Sequence, residues 1–436
     1  MTNTEMMIYA DRRAKVLKAL GKSVAVLKGS PLQTRSFDSE YAYRPDSDLY
    51  YLTGYAEMGS AMILDPNNGD KPFTLFVLPS DPAKETWTGR RLGVAGSKDP
   101  FGADEVYAID EFEAVVVDRI KHADRVYTNL THDVEHANKM MALLHQAQGL
   151  VARTGEGPKG IESIGVFTHE MRLIKDAHEI ELLRKANKIS TEAHLKVMAA
   201  IQPGMLEYQL QGILEGYCIQ QGATAMAYTS IVGTGDNATV LHYVANRKQI
   251  KDGDLVLIDA ACEYGYYASD ITRTYPANGK FTSPQKALYE EVLNCQNAII
   301  ERCKPGVTVQ SLHQQAVEIL VDGMVKIGLL TGKPEDLIES GEYQKYYMHR
   351  TGHWMGMDVH DRGDYRKNGE DRILVPGMVF TVEPGLYIPL NSDAPEKFRG
   401  IGIRIEDDIL ITRDGYENLT HTPKSVEDIE RLCSKS

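Results

Sequence analysis

At 436 residues the chain is too long for one ordinary hydrophobic core, so two domains are expected, and its 42% hydrophobic and 25% charged residues are those of a folded globular protein. A formal net charge of −13 argues against a general nucleic-acid or anionic-membrane binder, because phosphate surfaces attract basic ones. No run approaches the ~18 apolar residues of a membrane span, the opening MTNTEMMIYADRRAKVLKAL lacks the apolar stretch of a secretory signal, and the five cysteines, none in a C-x-x-C pair, read as reduced thiols of a cytoplasmic protein.

Residues 1–170 read as an α/β domain. Ser23–Leu27, Ala61–Leu64 and Phe73–Val77 are apolar enough for buried strands, and Asp110–Ile120 and Asp133–Ala147 have helical character. Between the first strands, Ser36–Tyr50 is polar and aromatic and buries little by itself, as functional loops and ordinary surface loops both do. Trp87 sits in Glu85-Thr-Trp-Thr-Gly-Arg-Arg91, where a pocket wall, an interface and a core position are all open to it.

The polar, glycine-containing stretch Thr154–Gly165 precedes the expected boundary, and residues 171–436 read as an α+β domain with helices and strands in separate blocks. Asp176 and Glu179 are spaced as a capping box, opening a long helix that Pro203-Gly204 ends. A second helix covers about Leu206–Gln221. Two more follow the hairpin described next, one with Pro284 at its start and one from Thr308 to about Leu330. Strands are expected at Met378–Glu383, Leu386–Pro389 and Ile401–Ile411.

Leu255–Tyr275 reads as a hairpin interrupted at Glu263-Tyr264-Gly265. With the turn centred between Tyr264 and Gly265, Asp259 and Asp270 fall opposite each other on one sheet face, where like charges repel. Solvent would relieve that repulsion, and so would a divalent cation with hard oxygen ligands. Downstream, His349, His353 and His360 lie within twelve residues. Their spacings of four and seven suit a helix face, but Gly352 and Gly356 favour loop or strand, where backbone approaches a ligand closely. Glu383 ends an apolar strand just before Pro384-Gly385. In Ile401–Ile411, alternation puts Arg404, Glu406 and Asp408 on one face, as a structural salt bridge or as a carboxylate aimed at a metal.

In order, Asp259, Asp270 eleven residues on, His353, Glu383 and Glu406 resemble the ligand set of the pita-bread metallopeptidases, the group holding methionine aminopeptidase, prolidase and aminopeptidase P. The likeness is greatest to the aminopeptidase P family. It is carried by Gly352-His-Trp-Met-Gly-Met-Asp-Val-His-Asp361, Gly402-Ile-Arg-Ile-Glu-Asp-Asp408, Phe37–Gly54, Trp87–Gly93 and His169–Lys175, and so covers nearly the whole chain. The resemblance implies an α/β N-terminal domain before an α+β pita-bread catalytic domain, and a dinuclear centre held by those five residues. Oxygen-rich ligation with one histidine suits Mn²⁺, with Zn²⁺ or Co²⁺ able to substitute. The implied activity is removal of the N-terminal residue from peptides with proline in second position; prolidase, which shares the ligands and the layout, is the alternative. Implied roles are proton shuttling for Glu383, oxyanion stabilisation for His242 or His360, orientation of Glu406 for Arg404, and a proline pocket with contributions from His242, His349, His360 and Trp87. A Trp87 supplied by a neighbouring subunit would make the active form a homo-oligomer, dimer or tetramer. A metal-free hydrolase and a binding-only module on the same fold are both disfavoured by the complete ligand set.

Overall fold

Val24–Lys28, Ala61–Leu64 and Phe73–Val77 belong to a six-stranded sheet ordered Glu105–Ala108, Phe73–Val77, Ala61–Leu64, Val24–Lys28, Val126–Thr128, Ile161–Ser163. Ala61–Leu64 runs antiparallel to both neighbours and the other adjacent pairs are parallel. Helices Phe112–Ile120 and Val134–Leu150 bury Phe112, Val116, Met140 and Leu143 against Val24, Val26 and Ile63. These elements form the first of two compact units, Met1–His169 and Glu170–Ser436, in a computed structural model that describes residues 2–130 and 133–434.

The polar stretch Ser36–Tyr50 splits in two. Thr34–Ser36 and Ser39–Glu40 form an exposed hairpin, but Asp46 caps a short helix, Ser47–Thr53, by accepting the Leu49 N–H at 2.9 Å. Leu49, Tyr51 and Leu52 of that helix are buried. A local cap carries the second half of the stretch into the core, which its composition conceals.

In the second unit, helices Ala177–Ala200, Glu207–Gln220, Ser283–Ile300 and Val309–Lys326 pack with antiparallel strands around one hydrophobic core. The first opens on the expected capping box, Asp176 accepting from the Glu179 N–H at 2.9 Å and Glu179 from the Asp176 N–H at 3.0 Å. Ile231–Thr234, Leu255–Asp259 and Thr272–Pro276 form one three-stranded sheet. Its register differs from the expected one: Asp259 pairs with Thr272, and the hairpin tip pairs Tyr264 with Tyr267. The reason is turn chemistry. Gly265 and Tyr266 both take positive φ, 57° and 66°, so they are the two central residues of a primed turn and the register moves by two. A shift of two keeps the side-chain parity, so Asp270 and Asp259 still share a side.

The expected strand Ile401–Ile411 is broken. Ile401–Arg404 pairs with Gly385–Ile388, whereas Asp407–Ile411 pairs with Val379–Val382. Ile405 and Glu406 span the switch, with the Glu406 N–H donating to the Thr272 carbonyl at 3.1 Å.

His194, fully buried on the helix Ala177–Ala200, braces the strand end that follows Asp259: Nε2 donates to the Ala260 carbonyl at 2.9 Å, and Nδ1 accepts from Tyr275 Oη at 2.7 Å. Burial pushes its pKa from 6.5 down to about 3. Below the unfolded value the unfolded chain takes up a proton that the folded chain refuses, so this residue makes stability fall as pH drops from about 6.5 toward 3, by up to about 1.4 kcal/mol per pH unit. In urea melts between about pH 7 and pH 4, His194→Gln is expected to start less stable than wild type and to lose less stability per pH unit.

Candidate metal centre

The strand Leu255–Asp259 carries Asp259 at its end, the return strand follows Asp270, and Glu383 lies just past Val379–Val382. His353 is on neither helix nor strand. Its loop is laced to the strand Val379–Val382: the Thr381 N–H donates to the His353 carbonyl at 2.9 Å, the His353 N–H to Thr381 Oγ1 at 3.0 Å, and the Glu383 N–H to the Thr351 carbonyl at 2.8 Å. A Cβ on Gly352 would stand 1.8 Å from the Thr381 carbonyl oxygen, and one on Gly356 would stand 2.0 Å from Asp361 Oδ2. The close approach expected of these glycines is therefore to the chain's own atoms.

Asp259, Asp270, His353, Glu383, Glu406, His242, His349, His360 and Arg404 all line one cavity of ≈ 840 Å³. Trp87 does not; it is 88% exposed on the helix Pro82–Thr88 of the first unit. Ligand atoms of Asp270, His353 and Glu406 lie within 4.8 Å of one another. His353 Nε2 is 3.4 Å from Asp270 Oδ2 and 3.7 Å from Glu383 Oε1.

The electrostatics of this cluster call for a cation. Burial raises Asp259 and Glu383, the latter to about 7, and burial with the charge of Asp270 raises Glu406 well above the carboxylate range. Burial alone would lower His353, but its hydrogen bond to Asp270 and the charge of Glu383 outweigh that and raise it to about 9. Among the described residues Asp259 Oδ1 is buried without a hydrogen-bond partner. Three buried carboxylates, the half-buried Glu383, an orphaned oxygen and one imidazole fit a hard divalent ion, which their oxygens would ligate and whose charge would offset their repulsion.

The groups behind these residues were only partly foreseen. Arg404 reaches Asp259 rather than Glu406, Nη2 donating to Asp259 Oδ2 at 2.6 Å. Glu406 instead receives the Thr272 hydroxyl at 2.6 Å, and Thr272 Oγ1 accepts Arg404 Nε–H at 3.1 Å. Arg404 Nη1 donates to Tyr387 Oη at 2.9 Å. His349 Nδ1–H donates to the Arg350 carbonyl at 2.7 Å, which leaves Nε2 to accept from Tyr387 Oη at 2.8 Å. Asp270 accepts from Tyr228 Oη at 2.6 Å, and its N–H is held by Asp408 Oδ2 at 3.0 Å. Asp408, expected to share a face with Arg404 and Glu406, is not among the residues that line the cavity and supports the centre from behind. Thr272 was within reach of the alternation that links it to Asp270; nothing in the sequence marks Tyr228. Thr272→Val leaves both Arg404 Nε–H and Glu406 Oε2 short of a partner, and is expected to cost ~10–100-fold in metal affinity or turnover, read by metal titration and peptide assay.

Residues 181–413 match the model of metallopeptidase family M24. The chain belongs to that family. Residues 9–127 match the aminopeptidase P N-terminal domain, so both units of this M24 chain have recognised counterparts. It is 40% identical to the Xaa-Pro aminopeptidase of Escherichia coli (strain K12), over 97% of this chain and 96% of that one. It is 38% identical to the Xaa-Pro aminopeptidase of Haemophilus influenzae, over 98% and 97%. Among solved structures it is similar to Pseudomonas aeruginosa aminopeptidase PepP, with a TM-score of 0.95, 42% identity and 98% of each chain covered. The fold is the expected one, an α/β N-terminal domain before a pita-bread M24 domain.

Proposed function

We propose that this chain is a metal-dependent Xaa-Pro aminopeptidase, hydrolysing the bond before a proline in second position to release the N-terminal residue. The observation that carries the reading is the cluster of buried Asp270 and Glu406 with half-buried His353, ligand atoms within 4.8 Å, in an M24 chain 40% identical over its length to a Xaa-Pro aminopeptidase. Asp259 and Glu383 complete the ligands, and we assign two divalent ions to the five residues, Mn²⁺ favoured by the oxygen-rich donors and Zn²⁺ or Co²⁺ able to replace it. When bound, such ions supply Lewis acidity and a hydroxide nucleophile at neutral pH.

The chain's own groups do the rest. Glu383, a carboxylate at the edge of the ligand set, is assigned the transfer of a proton to the leaving proline nitrogen. His242 and His360 line the cavity and orient the scissile carbonyl, and His349, neutral because burial holds it near 4, offers a ring face beside Tyr387. Ile231, Leu241, Val244, Val309 and Tyr365 give the cavity apolar wall for a pyrrolidine ring, which has no N–H to satisfy and a fixed φ. Exposed Trp87 is assigned to a neighbouring subunit's pocket, which makes the working form a homo-oligomer, dimer or tetramer. Five cysteines, all free and buried, support a reducing, cytoplasmic setting, and no described helix is long and apolar enough to cross a membrane.

A tripeptide Xaa-Pro-Yaa assayed beside the dipeptide Xaa-Pro with Mn²⁺ tests the reading. Release of the first residue from the tripeptide is expected. Cleavage of the dipeptide alone would make the protein a prolidase, and turnover that survives exhaustive chelation would overturn the metal centre.

A further inference from the structure

We propose that Arg172 and Lys175, in the segment that opens the second unit, are positioning residues for His360: they clamp the two aspartates that bracket it and so fix where its imidazole stands. The inference rests on the reading of His360 as a substrate-facing group.

His360 does little to hold itself. It is exposed in the cavity and makes no hydrogen bond of its own among the described residues; its one close ring contact is edge-on to His353, with centroids 4.3 Å apart at 77°. The loop that carries it has no helix or strand, and its regular pairing is limited to a single bridge from Trp354 to Phe380. Where the ring stands must therefore be set by backbone on either side.

Both sides are fixed. Arg172 Nη2 donates to Asp358 Oδ2 at 2.7 Å and to Asp361 Oδ1 at 2.6 Å, and Lys175 Nζ donates to Asp361 Oδ2 at 3.0 Å. Both Asp361 oxygens are thus taken, with the side chains of Arg172, Lys175 and Asp361 at 2%, 0% and 1% exposure. The Asp361 N–H closes the loop on the Trp354 carbonyl at 2.9 Å, and Gly356 lies so near Asp361 Oδ2 that no other residue fits there. The cations are anchored in turn, since Arg172 is in the last turn of the helix Gly165–Leu173 and the Lys175 N–H donates to the Gly377 carbonyl at 2.8 Å.

Two cations and two acids balance in charge, but burying them gains little over apolar packing of the same volume. What such a cluster does supply is geometry. A displacement of about 1 Å in a reacting constellation can cost ~10²-fold in rate, and a clamp on both neighbours of an unanchored ring prevents one.

Arg172→Lys keeps the charge but replaces the planar guanidinium, whose Nη2 reaches both aspartates, with a shorter and more mobile ammonium that does not hold that fixed geometry. The test is a double-mutant cycle: kcat and KM for Xaa-Pro-Yaa, bound metal and urea midpoint, measured for Arg172→Lys in the wild type and in His360→Ala. The expected result is a ~10–100-fold fall in kcat with KM and metal content unchanged, and no further fall when His360 is already Ala. The same fractional loss in both backgrounds, or an undiminished kcat, overturns the proposal. Should Arg172→Lys not fold, Asp358→Asn, whose side chain is 25% exposed, runs the same cycle from the outer end of the clamp. Failure of the peptidase reading would show in the wild type's own turnover, and failure of the clamp only in the comparison of backgrounds.

Discussion

Asp270→Ala is expected to give a folded protein that binds metal poorly and has lost ~10³-fold or more of its kcat/KM. A bound divalent ion supplies several kcal/mol of transition-state stabilisation, and each ~1.4 kcal/mol is a factor of ten. Asp270 is the residue most shared within the cluster: it faces His353 at 3.4 Å, accepts from Tyr228, and its charge raises Glu406. Without metal the same substitution removes both a charge that repels Glu406 and the partner of His353 and Tyr228, and these effects oppose, so the metal-free variant is expected to melt close to metal-free wild type. Adding Mn²⁺ should then raise the wild-type melting temperature and leave the variant's nearly unmoved, because only a ligand that binds the native state stabilises it. Elemental analysis and tripeptide kinetics read the outcome; a variant that keeps both its metal and its rate would remove Asp270 from the centre.

Gly352→Ala is expected to damage stability and activity together. The added methyl would stand 1.8 Å from the Thr381 carbonyl oxygen, which is backbone and cannot swing aside, so the two segments must part. Overpacking of this kind costs ~1–3 kcal/mol or more. The parting would lengthen the Thr381–His353 and Glu383–Thr351 backbone bonds, moving two proposed ligands at once, and a shift of about 1 Å is enough for ~10²-fold in kcat/KM. Gly212→Ala is the control: it lies in the helix Glu207–Gln220 with nothing within 4 Å of the new Cβ, and is expected to be neutral or slightly stabilising. An urea midpoint for Gly352→Ala that matches the control would show that the approach is not tight.

How much of this could be read from residue order depends on the range of the interaction. Strands such as Phe73–Val77 and the capped helix at Asp176 announce themselves because burial and capping are local. The hairpin acids shared a face as expected even though the register was two residues out, because parity survives an even shift. The turn itself was misplaced because Tyr266 is not a residue that advertises positive φ. The break at Ile405 and Glu406 was hidden because alternation continues across it, and the change of sheet is decided by partners more than a hundred residues away in sequence, such as Thr272. Arg404 was in the right cavity but on the wrong carboxylate for the same reason: alternation gives a face and cannot say which acid on a facing strand lies closest.

That break has a consequence for tolerance to change. The chain leaves one sheet for another twice, at Glu383-Pro384 and again at Ile405-Glu406, and at each crossing it sets a glutamate in the cavity. Between the crossings the strands Gly385–Ile388 and Ile401–Arg404 are paired residue for residue, and in the span from Pro389 to Gly400 Ala394 and Phe398 are held in the core, which leaves the stretch Leu390–Asp393 as the end that is free with respect to both glutamates. Its tip, with Asn391 and Asp393 exposed, can lengthen, shorten or carry an inserted tag without altering the spacing of the ligands, whereas one residue added on the near side of either crossing would turn a glutamate out of the cavity.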